Sequence, residues 1–418
     1  MKHKLTYMTI MTGFLLLLVA CDDYVQNIEP LIDSIEDDRL TSASQIPFLI
    51  KGVKEGFALC QDQVLMLSDG LADEFIFDSR VPNATYPTFL DIDLGEIEYD
   101  NNSVDNAYNP LGEARFFADD LIRRVGEADV TDQNLLNEAL FNANLFGGLT
   151  RYLYATYFGL NIDEGGGVID NGAFIPSDEM YDLAAEKLLA ALQYTDFNYG
   201  NDPVINDQDH AVRIVNSLLA RLYLFKEDYT AAATYVVNGL QSGDVPFLTL
   251  HFLGDGTVGG PDNFYYQQAG PPRSQFVTDF RFHGYVEADP TEAGRIALGE
   301  RLGSDSTMFY YQAKYPIEDD PIATMSWQEN HLMRAELILR GQLAGDALVL
   351  VNEVRASHGV TLLGSIDLAG LEIERDKELF CTGTRLPDQR RFGSFHLAAD
   401  KWQYLPITQD ERNENPNL

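Results

Sequence analysis

The sequence predicts a mainly α-helical protein in which about four helical hairpins pack beside a loop-rich region. Apolar residues recur at helical spacing through most of the chain, and polar start residues or glycines bound several of these runs. Two stretches, 69–110 and 241–326, lack that period and contain many glycines and prolines. With 418 residues, 45% of them hydrophobic, the chain can bury a large core, so we expect residues 42–418 to form one domain.

The first 20 residues have the pattern of a secretory signal. Lys2 and Lys4 precede an apolar run that is shorter than the roughly 20 residues a membrane-spanning helix needs. The run ends in LVAC, which is similar to the bacterial lipobox, in which the cysteine thiol receives a diacylglycerol before cleavage. We therefore expect residues 1–20 to be removed, Cys21 to be lipidated, and 21–41 to form an acidic tether. An ordinary signal with a chance cysteine is the alternative.

The charge and the cysteines exclude some classes of protein. The formal net charge is -36, which would repel the phosphates of a nucleic acid, so we expect no nucleic-acid partner. The chain has three cysteines, too few for a disulfide-built scaffold, and no CxxC or Cys/His cluster typical of zinc. Whether Cys60 and Cys381 pair is left open, because their separation in sequence says nothing about their distance.

The helical runs group into hairpins. In the third, Ser177 is a candidate N-cap, and LARLYLFKEDYTAAATYVVNGL, which ends at Leu240, closely resembles a tetratricopeptide-like hairpin. The spacing between hairpins is irregular, so we do not expect an idealised repeat array. The four predicted hairpins span residues 44–75, 113–159, 177–241 and 327–358.

The fourth hairpin has the clearest boundaries. An apolar stripe runs through 327–343, Gly345-Asp346 interrupts it, and a second stripe follows. Asp346 is placed to cap the second helix, and Gly359 is placed to end it. Such a pair cannot bury its stripes alone and needs helical neighbours.

The same segment resembles a known family. WQENHL from Trp327, NEVRA from Asn352, and the block RDKELF with RLPDQRRFG, which ends at Gly393, are similar to the C-terminal motifs of the SusD/RagB family. The closing YLPI and NENPNL are similar to the end of that family. The resemblance implies a SusD-like fold and a non-catalytic surface lipoprotein of the outer membrane. Such a protein binds a glycan or related nutrient, without a cofactor, and delivers it to a SusC-like TonB-dependent transporter.

Other functions stay open at this stage. A RagB-like peptide binder, a secreted lipoprotein enzyme that acts on glycans, and an anchored scaffold that binds only protein are the alternatives. A glycosidase needs two placed carboxyl groups, and nothing in the sequence selects a pair from so many acids. No GxSxG elbow, P-loop or HExxH motif is present.

The candidate ligand-binding residues are aromatic rings and amides in the two irregular stretches. Sugar rings stack their C–H faces on aromatic side chains, and amides can hold hydroxyl groups. The alternative for each ring is that it packs a loop onto the helices. We expect alanine at position 265 or 266 to weaken binding with little change in melting temperature. The candidates are Tyr86, Phe89, Tyr99, Tyr108, Asn263, Phe264, Tyr265 and Tyr266, with Gln267 and Gln268 nearby.

A calcium ion is the one metal that the sequence suggests. Asp91, Asp93, Glu96 and Glu98 place carboxylates on alternate residues around a glycine, a donor set that suits a hard cation, although the EF-hand spacing is absent. The acidic cluster 318–320 is a weaker candidate. A solvated acidic surface is the alternative for both. We expect structural roles for Trp327, Trp402, Arg390 and Arg391.

Overall fold

The computed structural model describes residues 42–200, 202–251 and 263–418. The predicted signal peptide, Cys21 and the predicted tether lie outside the described residues. The chain divides into two compact units, Met1–Gln45 and Ile46–Leu418. The described part of the first unit holds a short 3-10 turn, Ala43–Gln45. In the described ranges, no helix is both long enough and apolar enough to cross a bilayer.

The second unit is mainly helical, as the sequence predicts. Within the described residues its helices are α1 Ile46–Leu71, α2 Pro87–Asp93, α3 Asn102–Glu127, α4 Gln133–Tyr157, α5 Ser177–Ala191, α6 Gln208–Phe225, α7 Tyr229–Val236, α8 Phe264–Ala269, α9 Phe280–Ala288, α10 Trp327–Leu339, α11 Ala347–Ser357, α12 Leu368–Glu378, α13 Arg385–Phe392 and α14 Gln409–Glu414.

Short strands join the loops of this unit in pairs. In the described residues they are β1 Phe75–Ile76, β2 Phe158–Gly159, β3 Gly166–Gly167, β4 Ile175–Pro176, β5 Phe247–Thr249, β6 Val277–Thr278, β7 Leu298–Leu302, β8 Met308–Gln312, β9 Ile322–Met325 and β10 Leu405–Pro406. The pairs β1–β6, β3–β4, β5–β9 and β7–β8 are antiparallel, and β2–β10 is parallel. Each described sheet therefore has two strands, so helix packing builds the core.

The core runs between helices that are neighbours in sequence and in space. α1 packs on α3 and α4, and α4 packs on both α3 and α5. α6 pairs with α7, and α10 contacts both of them as well as α11. The central helix α4 is buried almost all round from Ala139 to Tyr157, which explains why its aromatic residues show no polar face. This arrangement confirms the predicted class of stacked helices with a loop-rich region.

Three predicted boundaries were wrong. The predicted hairpin 44–75 is instead the single helix α1, Ile46–Leu71, because apolar residues continue at helical spacing without a stop, and α3 is the neighbour it packs on. α3 begins at Asn102 rather than near residue 113, with Pro110 inside it. Ser177 is the first residue of α5 rather than its cap; its hydroxyl donates to the Ala155 carbonyl 2.7 Å away.

The fourth hairpin matches its prediction. α10 and α11 pack on each other, and the Asp346 carboxylate accepts from the Leu348 N–H at 2.9 Å, as an N-cap does. Gly359 follows α11 with a φ of 69°, the left-handed conformation that glycine adopts without strain. Local chemistry alone was enough to place both ends of this helix.

The arginine-rich block after residue 384 forms a buried ion network. Arg391 donates to both oxygens of Glu336, with the Nη2–Oε2 distance 2.7 Å, and to Asp388 at 2.8 Å. Arg375 is fully buried and donates to Asp388 at 2.7 Å. These pairs join α10, α12 and α13, so the predicted structural role of Arg391 is confirmed. The described cysteines, Cys60 and Cys381, are both buried and free.

Candidate functional site

Residues from the two irregular stretches meet at one cavity of about 390 Å³. It lies where α2, the first turns of α3, and α8 come together. Three of the predicted rings contribute to it, although more than 170 residues separate the first two from the third. Its lining residues are Tyr86, Pro87, Thr88, Phe89, Asn102, Ser103, Asn106, Phe264 and Gln268.

The aromatic wall begins at the start of α2. Pro87 occupies the first helical position, where its missing N–H costs nothing, and Tyr86 precedes it in extended conformation. The buried Gln275 side chain accepts from the Tyr86 N–H at 3.0 Å, which fixes the entry to the helix. Tyr86 and Phe89 then meet edge to face with ring centroids 5.9 Å apart. Tyr86 is 36% exposed and Phe89 only 2%, so Tyr86 offers the accessible face.

The amide wall is the start of α3. The Asn101 side chain caps this helix by accepting from the N–H groups of Ser103 and Val104. Asn102 and Asn106 are four residues apart, so they share one face of the helix, and both are exposed. Pro110 has no N–H to donate to the Asn106 carbonyl, which leaves that oxygen without its usual helical partner.

The third wall is α8, a helix of six residues. Asn263 is fully buried and caps it, accepting from the Tyr266 N–H at 3.0 Å while its amide donates to the Asp320 carbonyl at 2.8 Å. The cap positions half-buried Phe264 and, one turn later, Gln268 on the cavity wall. Gln268 is 7% exposed, and its Oε1 has no hydrogen-bond partner among the described residues. Asn263 therefore positions the wall, and the Gln268 Oε1 is buried within it.

The chemistry of this lining is aromatic and uncharged. Rings, amides and three hydroxyls surround the space, and no Asp, Glu, Lys, Arg or His is among the described residues that line it. Arg273 lies outside the lining, 5.6 Å from the centroid of the Tyr86 ring. Such a surface can stack on an apolar ring face and exchange hydrogen bonds with hydroxyl groups. It lacks the pair of carboxyl groups that glycoside hydrolysis uses.

Three other predicted residues lie elsewhere. Tyr99 packs edge to face on Trp402, with the Arg412 guanidinium 4.0 Å from its ring centroid. Tyr108 is 4% exposed and packs on Tyr154 and Phe158. Tyr266 is half-buried and is not among the residues that line the cavity. The structure thus brings together Tyr86, Phe89, Phe264 and Gln268, with Asn263 behind them.

Tyr265 is part of the core. Its exposure is 0%, its ring lies 5.5 Å from the Tyr315 ring and 6.1 Å from the Phe75 ring, and its hydroxyl donates to Asp69 at 2.6 Å. A ring enclosed in this way presents no face to a ligand. The expectation that its replacement would leave the melting temperature almost unchanged does not fit this placement.

Asp69 is a buried carboxyl group behind the site. Burial raises the pKa of Asp69 to about 7, although hydrogen bonds from Tyr265 and the Gly383 N–H oppose the rise. Burial also raises the pKa of Glu74 well above its usual value. A carboxyl group whose pKa is higher in the folded state binds its proton more tightly there than in the unfolded chain. Such a group lowers stability as the pH rises from its unfolded pKa to its folded pKa.

We therefore expect the contribution of Asp69 to the unfolding free energy to decrease between about pH 4 and pH 7, and Asp69→Asn to remove that decrease. The range follows from the unfolded pKa of 3.8 and the folded pKa of about 7 for Asp69. Urea denaturation at both pH values measures the difference. Asp163→Asn, at an exposed carboxylate, is the matched control and should keep the wild-type pH dependence. Equal pH dependence in Asp69→Asn and the wild type would show that Asp69 does not titrate in this range.

The carboxylates proposed for calcium lie on α2 and the turn after it. Burial raises the pKa of Asp93 to about 6, and Glu96 pairs with Lys401. Within the described residues, no three His, Cys, Asp or Glu side chains converge in a way that could hold a metal ion. Calcium binding at 91–98 stays a hypothesis, which calcium titration would test.

Comparison with known proteins identifies the fold. No family model matches this sequence. No curated protein matches it at a significant level either. Solved structures do match: a SusD superfamily protein from Bacteroides thetaiotaomicron has a TM-score of 0.72 and 18% identity, with 90% of this chain and 98% of that chain covered. A laminarin-binding SusD-like protein has a TM-score of 0.69 and 14% identity, with coverage of 90% and 100%.

A third match is surface glycan-binding protein A from Bacteroides thetaiotaomicron in complex with laminarihexaose. It has a TM-score of 0.66 and 15% identity, with 90% of this chain and 98% of that chain covered. At these identities the likeness shows the fold, and that fold is SusD-like over nearly the whole chain. The SusD-like fold that the resemblance implied is thus confirmed.

Proposed function

We propose that this protein is a glycan-binding surface lipoprotein and that it holds its ligand at the cavity between α2, α3 and α8. The observation that carries the proposal is the meeting of Tyr86, Phe89 and Phe264 around an uncharged, amide-lined space. An aromatic face and neutral hydrogen-bonding groups suit a neutral sugar, whose C–H faces are apolar and whose rim carries hydroxyls. The SusD-like fold supports the same class of ligand, because two structural neighbours are described with laminarin or laminarihexaose.

Binding without bond cleavage is part of this proposal. The cavity lining holds no carboxyl group among the described residues, and both mechanisms of most glycosidases need two. Affinity would come from ring stacking and from hydrogen bonds to exposed amides of the lining, those of Asn102 and Asn106. A hydrolytic enzyme is therefore the less favoured reading of this cavity.

The proposed location and partner of the protein rest on the resemblance of its C-terminal motifs to the SusD/RagB family. The proposed protein is anchored in the outer membrane through lipid on Cys21, faces the cell exterior, and passes glycan to a SusC-like TonB-dependent transporter. Surface labelling of intact cells tests the location, and co-purification with a transporter from the native membrane tests the partnership.

Alanine at Phe264 is expected to weaken glycan binding about tenfold, since losing a ring contact of about 1.4 kcal/mol changes Kd by that factor. Titration calorimetry with laminari-oligosaccharides and a panel of other glycans and peptides measures it, on protein that lacks residues 1–21. Phe116→Ala, at a ring that is 52% exposed and lies outside the cavity, is the matched control and should keep wild-type affinity.

Three results would count against the proposal. An unchanged Kd in Phe264→Ala would remove this cavity from the glycan site. Cleaved oligosaccharide in the product mixture would favour the enzyme, and binding of peptides but no glycan would favour the RagB-like reading.

A further inference from the structure

A second cavity, of about 410 Å³, lies between the start of α1, the middle of α4, the loop 202–205 and strand β5. It shares no lining residue with the proposed glycan cavity. Its size is in the range of small-molecule sites, and most of its wall is aliphatic or aromatic. The apolar residues of that wall include Ile50, Leu145, Phe146, Val204, Ile205 and Phe247.

Along one face of α4, the residues that line this cavity change from polar to apolar. Glu138, Asn142 and Phe146 are spaced four residues apart on α4, so they lie on one face, with a rise of about 6 Å per step. Phe146 packs against the rings of Phe57 and Phe247, with centroids 5.2 and 6.4 Å away. The cavity therefore has a charged end at Glu138 and an apolar end at Phe146.

The charges around the cavity do not balance. Lys51 pairs with Glu55 at 3.4 Å, and Lys54 pairs with Asp202 at 3.2 Å. Asp202 is also held through its other oxygen, which accepts from the N–H groups of the loop that follows it. This leaves one carboxylate over, because the lining contains two lysines and three acids.

Glu138 is the acid without a matched partner. Among the hydrogen bonds and ion pairs of the described residues, none involves its carboxylate; only its backbone carbonyl is used, by the Asn142 amide at 2.8 Å. Burial raises the pKa of Glu138, and the charge of Lys54 only partly opposes this. Since Asn142 donates through its nitrogen, its Oδ1 is an acceptor one helical turn from the carboxylate.

We infer that this cavity binds a small organic cation that has a primary ammonium group on a compact aromatic or branched apolar body. The ammonium group has three donors, which match the Glu138 carboxylate and the Asn142 Oδ1 at one end. The apolar body fills the space beside Leu145, Phe146 and Phe247. A neutral or anionic molecule of the same shape would leave Glu138 unmatched, so the site selects for positive charge.

Tryptamine is a suitable probe, because it joins an ammonium group to a flat apolar ring system. In titration calorimetry of the protein that lacks residues 1–21, we expect tryptamine to bind with a Kd below 1 mM. We expect Glu138→Gln to raise that Kd about tenfold, since the acceptor loses its negative charge and keeps only a neutral amide oxygen. 3-Ethylindole, which has the ring without the amine, should bind more weakly and be insensitive to Glu138→Gln.

The matched control is Glu186→Gln at an exposed position on α5, which makes the same change in net charge and should leave the Kd unchanged. Leu248→Trp, which adds bulk at a half-buried lining residue, should abolish binding while circular dichroism confirms the fold. No binding of tryptamine to the wild type, an unchanged Kd in Glu138→Gln, or an equal loss in Glu186→Gln would overturn the inference. Phe264→Ala should not affect tryptamine, so this test stands apart from the glycan proposal.

Discussion

Replacing Glu336 by alanine is expected to lower the free energy of unfolding by about 3–5 kcal/mol, the range for breaking a buried ion pair. Glu336 has an exposure of 0% and receives hydrogen bonds from Arg391, with a further contact from Arg340 at 2.8 Å. Without it, Arg391 and Arg375 share the single carboxylate of Asp388 inside the core. The cost comes mainly from burying positive charge without compensation.

The matched control is Glu353→Ala. Glu353 also pairs across helices, with His331 at 3.2 Å, but its side chain is 47% exposed. Exposed pairs contribute at most about 1 kcal/mol, so this variant should stay close to the wild type. Guanidinium denaturation with a constant m-value measures both. Equal losses in the two variants would show that the buried network does not govern the stability.

The buried pair of Glu336 and Arg391 also makes the unfolding free energy depend on pH. Burial alone would raise the pKa of Glu336, but the Arg391 guanidinium holds it below its usual value. A carboxyl group with a lowered folded pKa contributes stability above its unfolded pKa and loses it as the pH falls through the folded pKa. The loss caused by Glu336→Ala should therefore be largest near neutral pH and shrink in strong acid.

Alanine at Tyr265 is expected to cost about 3–5 kcal/mol, because it removes a fully buried aromatic ring from between Phe75 and Tyr315. It also leaves Asp69 without its hydroxyl donor. Tyr265→Phe keeps the ring and removes only that hydrogen bond, so it should cost about 1–2 kcal/mol. Thermal and chemical denaturation measure both variants.

Tyr266→Ala is the neighbouring control. Tyr266 is half-buried, and we expect its loss to cost less than about 1.5 kcal/mol. Comparable losses at 265 and 266 would contradict the assignment of Tyr265 to the core. A Tyr265→Phe variant with wild-type stability but weaker glycan binding would show that the hydroxyl contacts ligand.

The most reliable predictions were those that depend on a few adjacent residues. Asp346 and Gly359 were recognised as the two ends of one helix because a cap side chain and a left-handed glycine are properties of a few adjacent residues. The mainly helical class followed from periodicity for the same reason. The segment 44–75 was wrongly predicted to be a hairpin because a long helix and a hairpin have the same apolar period unless a turn residue intervenes.

The candidate site shows where such reasoning stops. The types of side chain in the cavity were predicted, but their meeting was not, since Tyr86 and Phe264 come together only through packing of distant segments. Asn102 and Asn106 were missed because the stretch 69–110 was predicted to be irregular, although α3 begins at Asn102 and contains Pro110. Their spacing of four would have placed them on one face had the helix been recognised. Likewise, Tyr265 points into the core because it packs on Phe75 and Tyr315, which are distant in sequence. The sequence of 264–266 alone does not predict which of its three rings is buried.

The contacts that close the core around α1 also set an order of events during protein synthesis. The Gly383 N–H donates to Asp69 at 3.0 Å across 314 residues, and Arg385 donates to Asp73 at 2.7 Å across 312. The first long helix therefore cannot complete its native surroundings until the ribosome has made almost the entire chain. Contacts this distant form slowly, because a large loop must close before they are made. Until then the nascent polypeptide exposes apolar surface that chaperones recognise.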